Sequence, residues 1–479
     1  MISFVWDHQE HLLRAGELHN SSASSPEAIA RTWERLKPFH LNCVLAPVAW
    51  EQVEAQEGCF CFTLMDELLR AAVQNHHKLI LLWFGAWKNG ASTYAPIYVK
   101  SQPQRFACCR HADGSHSRTL SPFCEAVRQA ESRAFAALMR HLHLCDPHAE
   151  VVIAVQVDNE VGFLGGVRDT SDDAQSVWNQ GLPPAIGKLY PDGNSWGSLG
   201  HDGEEAFMAW GFAQALEALA KVGKAEHSIP MFANAWTQQY EGEPAQLRPC
   251  GGPSAHMVPV WRIAAPTLDA IVPDCYLMDL HAECQPYRLP HEPLLISELR
   301  NDRCTPAMLL YAFGALDAVC AAPFGIDGTF GRASNAVQAS VIDQQGTSDE
   351  AIAAVYRFLE GLEPLVLEAR GNGRVRGLLH GLRPTEGVSL GGYHLWVAYQ
   401  QGSLLGGALI CSMQDGEYYI LGVNVRFSFY GDGTVDFVDI QEGEWKNDCW
   451  NGTYLLNGDE QCVDINDHVK LLRVRLYTR

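Results

Sequence analysis

The stretch Val151–Gly162, VVIAVQVDNEVG, decides how the rest of the chain is read. It opens with an unbroken apolar run, largely β-branched, which is the pattern of a strand buried on both faces. Gln156, Asp158, Asn159 and Glu160 then arrive within five positions. A buried strand that ends in amides and acids fits a parallel strand whose C-terminal end opens onto a functional rim. Alternation alone does not choose between Asp158 and Glu160, because residues two apart share a strand face. Depth does favour one: Glu160 lies nearer the end of the run, and Asp158 is expected lower, as a structural acid.

Seven further apolar runs have the same character. They are HLLRAGELHN (11–20), NCVLAPVAW (42–50), KLILLWFGAW (78–87), IPMFANAW (229–236), LDAIVPDCY (268–276), LLISELR (294–300) and VCAAPFGID (319–327). Helical patterns separate most of them. Ser25 followed by Pro26 and Glu27 is a helix start. Amphipathic spacing predicts helices over about 64–76, 121–144, 204–222, from 305 and over 348–362. Strands alternating with helices imply parallel pairing with crossovers. Eight such units in about 360 residues give a (β/α)8 TIM barrel with extended loops. A doubly wound open sheet is the rival, but AGELHNSSASSP after the first run carries no Gly-rich phosphate turn. The texture changes near Glu368. Short alternating segments punctuated by Gly, Asp and Asn then predict a C-terminal antiparallel β-sandwich. The expected domains are a barrel over 1–366 and a β-sandwich over 367–479.

Composition narrows the partners. The 479 residues carry 35 Lys and Arg against 56 Asp and Glu, a net charge of −21. That charge repels phosphate backbones and anionic lipid, so neither nucleic acid nor membrane is an expected partner. No run is long and apolar enough to span a bilayer. The first residues do not follow a signal-peptide pattern, and the 15 cysteines form no disulfide framework, so a cytoplasmic location with free thiols is expected. His141, His143, Cys145 and His148 cluster in sequence but follow no zinc-motif spacing, so no metal is expected. No cofactor is required either. The acidic charge and the appended β domain are compatible with a homo-oligomer.

Barrel strands deliver their chemistry at their C-terminal ends. The ends here offer Glu17, His19 and Asn20; Trp50 and Glu51; Trp83 and Trp87; Asn159 and Glu160; Asn234 and Trp236; Tyr276; Glu298 and Arg300; and Asp327. Taken singly, a glutamate at a strand end is more often an ion-pair partner, and a tryptophan more often packing. The coincidence is what counts: glutamates end the fourth and seventh strands, Asn precedes the first of them, and Tyr ends the sixth. One carboxylic acid can protonate a glycosidic oxygen while a second attacks the sugar carbon. Aromatic faces suit the C–H faces of sugars, and amides and acids read hydroxyls.

VQVDNEVG resembles the acid/base motif of the β-galactosidases of glycoside hydrolase families 35 and 42, and LLISELRND resembles their nucleophile strand. AGELHNSSASSPE and VLAPVAWEQVEAQEGCFCF are similar to bacterial members of family 35, as is the C-terminal FYGDGTVDFVDIQEGEW to their accessory domain. The resemblance implies a retaining exo-β-galactosidase acting on β-galactoside oligosaccharides. Under it, Glu160 is the general acid and then the base, Glu298 the nucleophile, Asn159 the partner of the sugar 2-hydroxyl, and Tyr276 the hydrogen-bond partner of Glu298. Glu17, Trp83, Trp87, Asn234 and Trp236 are substrate-binding candidates by strand end alone. Other family 35 members carry Gly-x-x-His-Tyr and Trp-Asn-x-His-Glu segments. Gly16-Glu17-Leu18-His19-Asn20 and Trp50-Glu51-Gln52 stand in those places here, so sugar recognition departs from that pattern. A glucoside or arabinoside as substrate, and a sugar-binding barrel without catalysis, are the alternatives.

Overall fold

The computed structural model describes residues 4–238, 240, 242–289, 292–328, 348–380, 387–399 and 405–479. Eight parallel strands close into a barrel: β1 (Leu13–Glu17), β2 (Cys43–Ala49), β3 (Lys78–Lys88), β4 (Val152–Asn159), β5 (Met231–Trp236), β6 (Ala270–Cys275), β7 (Leu295–Leu299) and β8 (Cys320–Pro323). The helices between and after them include α1 (Pro26–Leu36), α2 (Thr63–Gln74), α3 (Glu125–Cys145), α4 (His201–Glu226), α5 (Val258–Ala264), α6 (Leu280–Cys284), α7 (Thr305–Ala315) and α8 (Asp349–Gly371). The (β/α)8 barrel expected from the sequence is the fold. Ser25 caps α1 as its spacing implies, its side chain accepting from the Ala28 amide at 3.1 Å.

Two apolar layers explain why the strands read as continuous hydrophobic runs. One face of each strand fills the barrel: Leu13, Leu45, Ile80, Leu82, Phe84, Ala154, Phe232, Val272, Leu295 and Ala322 form one buried cluster. The other face meets the helices: Val44, Leu81, Trp83, Val155, Val157, Ala233, Ile271 and Ile296 belong to the outer cluster. The seam where β8 meets β1 is fastened by α8. Its Tyr356 hydroxyl lies 2.8 Å from the Ala15 carbonyl and 2.9 Å from that of Ala321, and its buried Glu363 accepts from Arg14 at 2.8 Å.

The C-terminal region is a β-sandwich. Its strands are β9 (Val375–Leu379), β10 (Gly387–Leu390), β11 (Tyr393–Tyr399), β12 (Gly407–Gln414), β13 (Glu417–Val423), β14 (Val425–Tyr430), β15 (Val435–Lys446), β16 (Cys449–Leu456), β17 (Val463–Ile465) and β18 (Lys470–Thr478). A six-stranded antiparallel sheet, ordered β9-β12-β13-β18-β15-β16, faces a four-stranded one, β10-β11-β14-β17. The centre of the larger sheet, β12 and β13, is buried on both sides. Ala408, Ile410, Tyr418 and Ile420 point into the sandwich. Leu409, Cys411, Tyr419 and Leu421 join the same apolar cluster as α7 and α8 of the barrel. Helix α8 runs through the expected boundary at 366/367 to Gly371, and the first sandwich strand starts at Val375.

Backbones touch across this junction. A Cβ on Gly377 of β9 would lie 2.6 Å from the Ala315 nitrogen and 2.8 Å from the Gly314 carbonyl carbon at the end of α7. Neither obstacle is a flexible side chain, so Gly377→Ala is expected to lower stability by about 1–3 kcal/mol. Gly371→Ala, where nothing lies within 4 Å of the added carbon, should leave the melting temperature unchanged. Thermal denaturation of the two variants checks this.

Candidate active site

Parity places the site. Phe232 points into the barrel, so Asn234 and Trp236 on β5 do as well; the same count from Ala270 and Val272 turns Asp274 and then Tyr276 inward. Leu13 and Ala15 likewise bring Glu17 to the mouth. The two glutamates singled out from the sequence reach the mouth by breaking the rule.

On β4, Ala154 points inward, and alternation would send Asp158 inward too. Asp158 instead has φ +55° and Glu160 φ +46°, a left-handed conformation that costs a branched or acidic residue about 1–3 kcal/mol. The twist throws Asp158 out to the helix side. There its Oδ1 accepts from the Gly85 and Trp87 amides of β3 at 3.1 and 3.2 Å. Asp158 and Glu160 therefore do not share a face, contrary to simple alternation. On β7, Ile296 faces the helices, yet Ser297 and Glu298 both turn to the mouth. The register against β8 shifts between Ile296 and Leu299, the irregularity that lets consecutive residues face one way.

Among the described residues the mouth gathers the buried acids Glu17, Glu160, Asp274 and Glu298 and the buried Lys88. Carboxylate oxygens of Glu160, Asp274 and Glu298 lie within 4.8 Å of one another. The Tyr276 hydroxyl donates to Glu298 Oε1, and Asn89 Nδ2 donates to Glu160 Oε2. Asn234 organises the centre. Its Oδ1 accepts from the Glu160 amide at 2.9 Å, and its Nδ2 reaches Asp274 at 2.7 Å and Asn159 Oδ1 at 3.2 Å. Gln156 donates to the same Asn159 oxygen at 2.9 Å. That leaves Asn159 Nδ2 buried with no hydrogen-bond partner among the described residues, and Glu17 Oε1 is in the same condition. Two unsatisfied polar atoms at one mouth are suited to a hydroxylated ligand.

Electrostatics separates the acids. Burial, and then the charge of Glu298, push Glu160 up to about 8, against the pull of Lys88 and its hydrogen bonds. Burial raises Glu298 as well, but Lys88 and the Tyr276 hydroxyl oppose it. Burial and the neighbouring Glu298 hold Glu17 and Asp274 protonated well above the usual carboxylate range. Asp274 and Glu160 also share a side-chain hydrogen bond. The ammonium of Lys88 sits 4.4 Å above the Phe84 ring. The Glu160, Asp274 and Glu298 oxygens are also the donor type of a hard divalent cation, though each residue is already engaged by Asn89, Asn234 or Tyr276.

Not every strand-end residue belongs here. Trp83 and Trp87, expected to bind substrate, are fully buried on the helix side. Trp83 donates to Glu131 at 3.0 Å and packs on Phe135; Trp87 donates to the Leu120 carbonyl at 2.9 Å and meets Phe212 edge-on. β3 alternates with Phe84 inward, so both indoles must face outward. Trp50 is likewise buried, donating to Glu54. His19 and Ser22 hold Asp327 at 2.9 and 2.7 Å, which ties the loops after β1 and β8 together. Arg300 pairs with Asp302 and donates to the Tyr276 carbonyl at 2.8 Å. Trp236 is partly exposed at the rim.

Four residues escaped the sequence reading. Asp274 was legible by counting from Ala270. Lys88 and Asn89 lie just past the run that ends at Trp87. Glu131 sits nearly two turns into α3 and has no sequence signal; it is the buried partner of Asp158. Its Oε1 accepts from the Ala86 amide at 2.8 Å as well as from Trp83. Asp158 holds its proton well above the ordinary value and donates to Glu131, which burial raises to about 7. A Cβ on Gly85 would fall 1.8 Å from Glu131 Oε1, so only glycine leaves room for the pair.

The comparisons with known proteins agree with the barrel. Residues 352–466, which span most of α8 and most of the sandwich, match a family described as a domain of unknown function, DUF5597. No curated protein matches. Among solved structures, a β-galactosidase from Bacillus circulans sp. alkalophilus superposes with TM-score 0.53 at 13% identity, covering 75% of this chain and 57% of that one. A β-galactosidase from the psychrophilic Marinomonas ef1 gives 0.51 at 11%, covering 75% and 60%. Gan42B, a GH42 β-galactosidase from G. stearothermophilus, gives 0.51 at 14%, covering 78% and 58%. This chain spans less than two thirds of each of them. At such identities the likeness is one of fold.

The Glu131–Asp158 pair yields a test with a definite sign. A carboxyl held protonated in the folded chain binds a proton that the unfolded chain has lost, so its contribution falls as pH rises above about 4. Asp158→Asn keeps the donor to Glu131 without a titrating proton. Its melting temperature is expected to fall less than that of the wild type between about pH 5 and pH 8. Asp158→Ala, which strands Glu131 and two amides, is expected to cost about 3 kcal/mol near pH 5 and less toward pH 8.

Proposed function

We propose that the chain is a retaining exo-β-galactosidase, in which Glu160 is the acid and base and Glu298 the nucleophile. The observation that carries the reading is the pairing itself: oxygens of the two glutamates lie within 4.8 Å, and burial raises both, Glu160 to about 8, while Lys88 and the Tyr276 hydroxyl oppose the rise at Glu298. Retaining enzymes hold their carboxyl groups about 5–5.5 Å apart, whereas inverting ones need about 6.5–9.5 Å to admit water. The β-galactosyl preference rests on the sequence motifs around Glu160 and Glu298 and on the barrel shared with proteins named β-galactosidases.

In the first step a Glu298 oxygen forms a bond to the anomeric carbon as the glycosidic C–O bond breaks. The proton on Glu160 passes to the departing oxygen, and a glycosyl ester on Glu298 remains. In the second step Glu160, now a carboxylate, takes a proton from water as the water oxygen attacks the anomeric carbon. The ester bond breaks and Glu298 returns as a carboxylate. Lys88 and the Tyr276 hydroxyl favour the ionised nucleophile. Once Glu298 is esterified its charge is gone, and the push on Glu160 relaxes, so Glu160 becomes the better proton acceptor in the step that needs one. In this reading Asn159 Nδ2 and Glu17, each with a buried polar atom lacking a partner among the described residues, would meet sugar hydroxyls, and the partly exposed Trp236 would face the sugar or its aglycone.

Glu298→Gln should lower turnover of nitrophenyl β-galactoside by roughly 10³-fold or more with the fold intact; near-native activity would sink the assignment. Glu160→Ala should spare activated aryl leaving groups relative to poor ones, and azide should rescue it as a glycosyl azide. Because Glu160 acts as an acid, kcat/KM should decline as pH rises through about 8. A panel of aryl glucosides, arabinosides and galactosides reads the sugar preference directly.

A further inference from the structure

We propose that Asp66, His141 and Cys145 form a binding site for a borderline divalent transition-metal ion of the Zn²⁺ class, linking α2 to α3. The site is unrelated to the barrel mouth and does not depend on the glycosidase reading. One donor atom from each residue lies within 4.8 Å of the others. His141 and Cys145 stand four apart in the last turn of α3 and so share a face. His141 Nε2 is 2.6 Å from Asp66 Oδ1 and 3.6 Å from Cys145 Sγ.

Along the sequence this cluster reads as His141, His143, Cys145 and His148, without zinc spacing. The fold discards two of them and supplies a third ligand from 75 residues away. His143 turns instead to His227, their Nδ1 atoms 3.4 Å apart. Asp66 lies in the first turn of α2. Phe62, just before that helix, stacks on the His141 ring at 4.3 Å and 11°, which fixes the imidazole plane with Nε2 toward the other two donors.

An Asp and a His alone would read as an ordinary surface ion pair. The thiol changes the chemistry. Zinc bonds of about 2.0–2.3 Å to N, O and S in a tetrahedron put the donors about 3.3–3.6 Å apart. The sulfur–nitrogen separation already has that value. The oxygen must withdraw by about 0.7 Å to reach that geometry, which the half-exposed Asp66 side chain can do by rotation. A mixed N, O and S set selects Zn²⁺, Co²⁺ or Ni²⁺ over Mg²⁺ and Ca²⁺. Three protein ligands leave the fourth position to water, so the ion exchanges with solvent. Metal binding releases the thiol proton to solvent, moves the imidazole proton from Nε2 to Nδ1, and replaces the Asp–His hydrogen bond by two coordinate bonds.

The test titrates the full-length protein, reduced with a non-chelating phosphine, with Co²⁺, and follows the thiolate-to-cobalt charge-transfer band in the near ultraviolet. One equivalent should saturate the band. Cys145→Ser and His141→Ala should abolish it, and Asp66→Ala should weaken binding at least tenfold. His148→Ala and the double change of Cys59 and Cys61 to Ser should leave it intact. Zn²⁺ should raise the melting temperature of the wild type and not that of His141→Ala. The proposal is overturned if no band forms at millimolar Co²⁺, if the band survives in Cys145→Ser, or if Asp66→Ala binds with unchanged affinity.

Discussion

The crowding of four carboxyl groups around one ammonium at the barrel mouth is the constraint on which the site depends. Glu17, Glu160, Asp274 and Glu298 are all buried, and Lys88 acts on three of them. Four anions cannot share so small a volume of low dielectric. Burial raises all four, Glu160 to about 8 and Glu17 and Asp274 well above the usual carboxylate range, while Lys88 and the Tyr276 hydroxyl oppose the rise at Glu298. The acids are thereby made unlike one another, which is what acid and nucleophile roles require of identical side chains.

The scaffold is built to hold that crowding in place. Asn234 fixes the Glu160 amide and Asp274 at once. Glu283, buried beneath the end of β6, accepts from the Tyr276 and Leu277 amides at 3.3 and 3.1 Å and from the Thr237 hydroxyl. Behind β4, the protonated Asp158 and its partner Glu131 bind four donors on β3, from Trp83 to Trp87. The left-handed turns at Asp158 and Glu160 are sustained by these bonds. The same strain that exposes Glu160 to the mouth thus anchors the neighbouring strand that carries Lys88 and Asn89. On the far side, the sandwich sheet covers α7 and α8 with a continuous apolar layer, and α8 in turn closes the seam between β8 and β1.

The barrel was legible because its strands are buried on both faces, and each run of apolar residues found a place in the sheet. The structure brings Glu17, Asn159, Glu160, Asn234, Tyr276 and Glu298 to one mouth; strand ends alone pointed to Glu17 and Asn234, and strand ends together with the motif resemblance pointed to the other four. What alternation could not supply was direction. Trp83 and Trp87 end the right strand but face the helices, since Phe84 takes the inward position. Asp158 should have shared a face with Glu160 and does not, because two left-handed residues rotate the chain. Asp274 was hidden as a polar residue inside a strand, although the inward count from Ala270 and Val272 leads to it. Glu131 and the Asp66, His141 and Cys145 group depend on tertiary approach between segments far apart in sequence, which no local pattern records.

The division of labour among the four acids is tested most directly by trapping the intermediate. A 2-deoxy-2-fluoro-β-galactoside with a good leaving group destabilises the charge that develops at the anomeric carbon, so the glycosyl-enzyme forms faster than it is hydrolysed. Peptide mapping of the inactivated protein by mass spectrometry should place one fluorogalactosyl group on Glu298, within LLISELRND. A label on Glu17, Glu160 or Asp274, or full turnover of galactosides with no label at any carboxylate, would contradict the assignment of the ionised nucleophile.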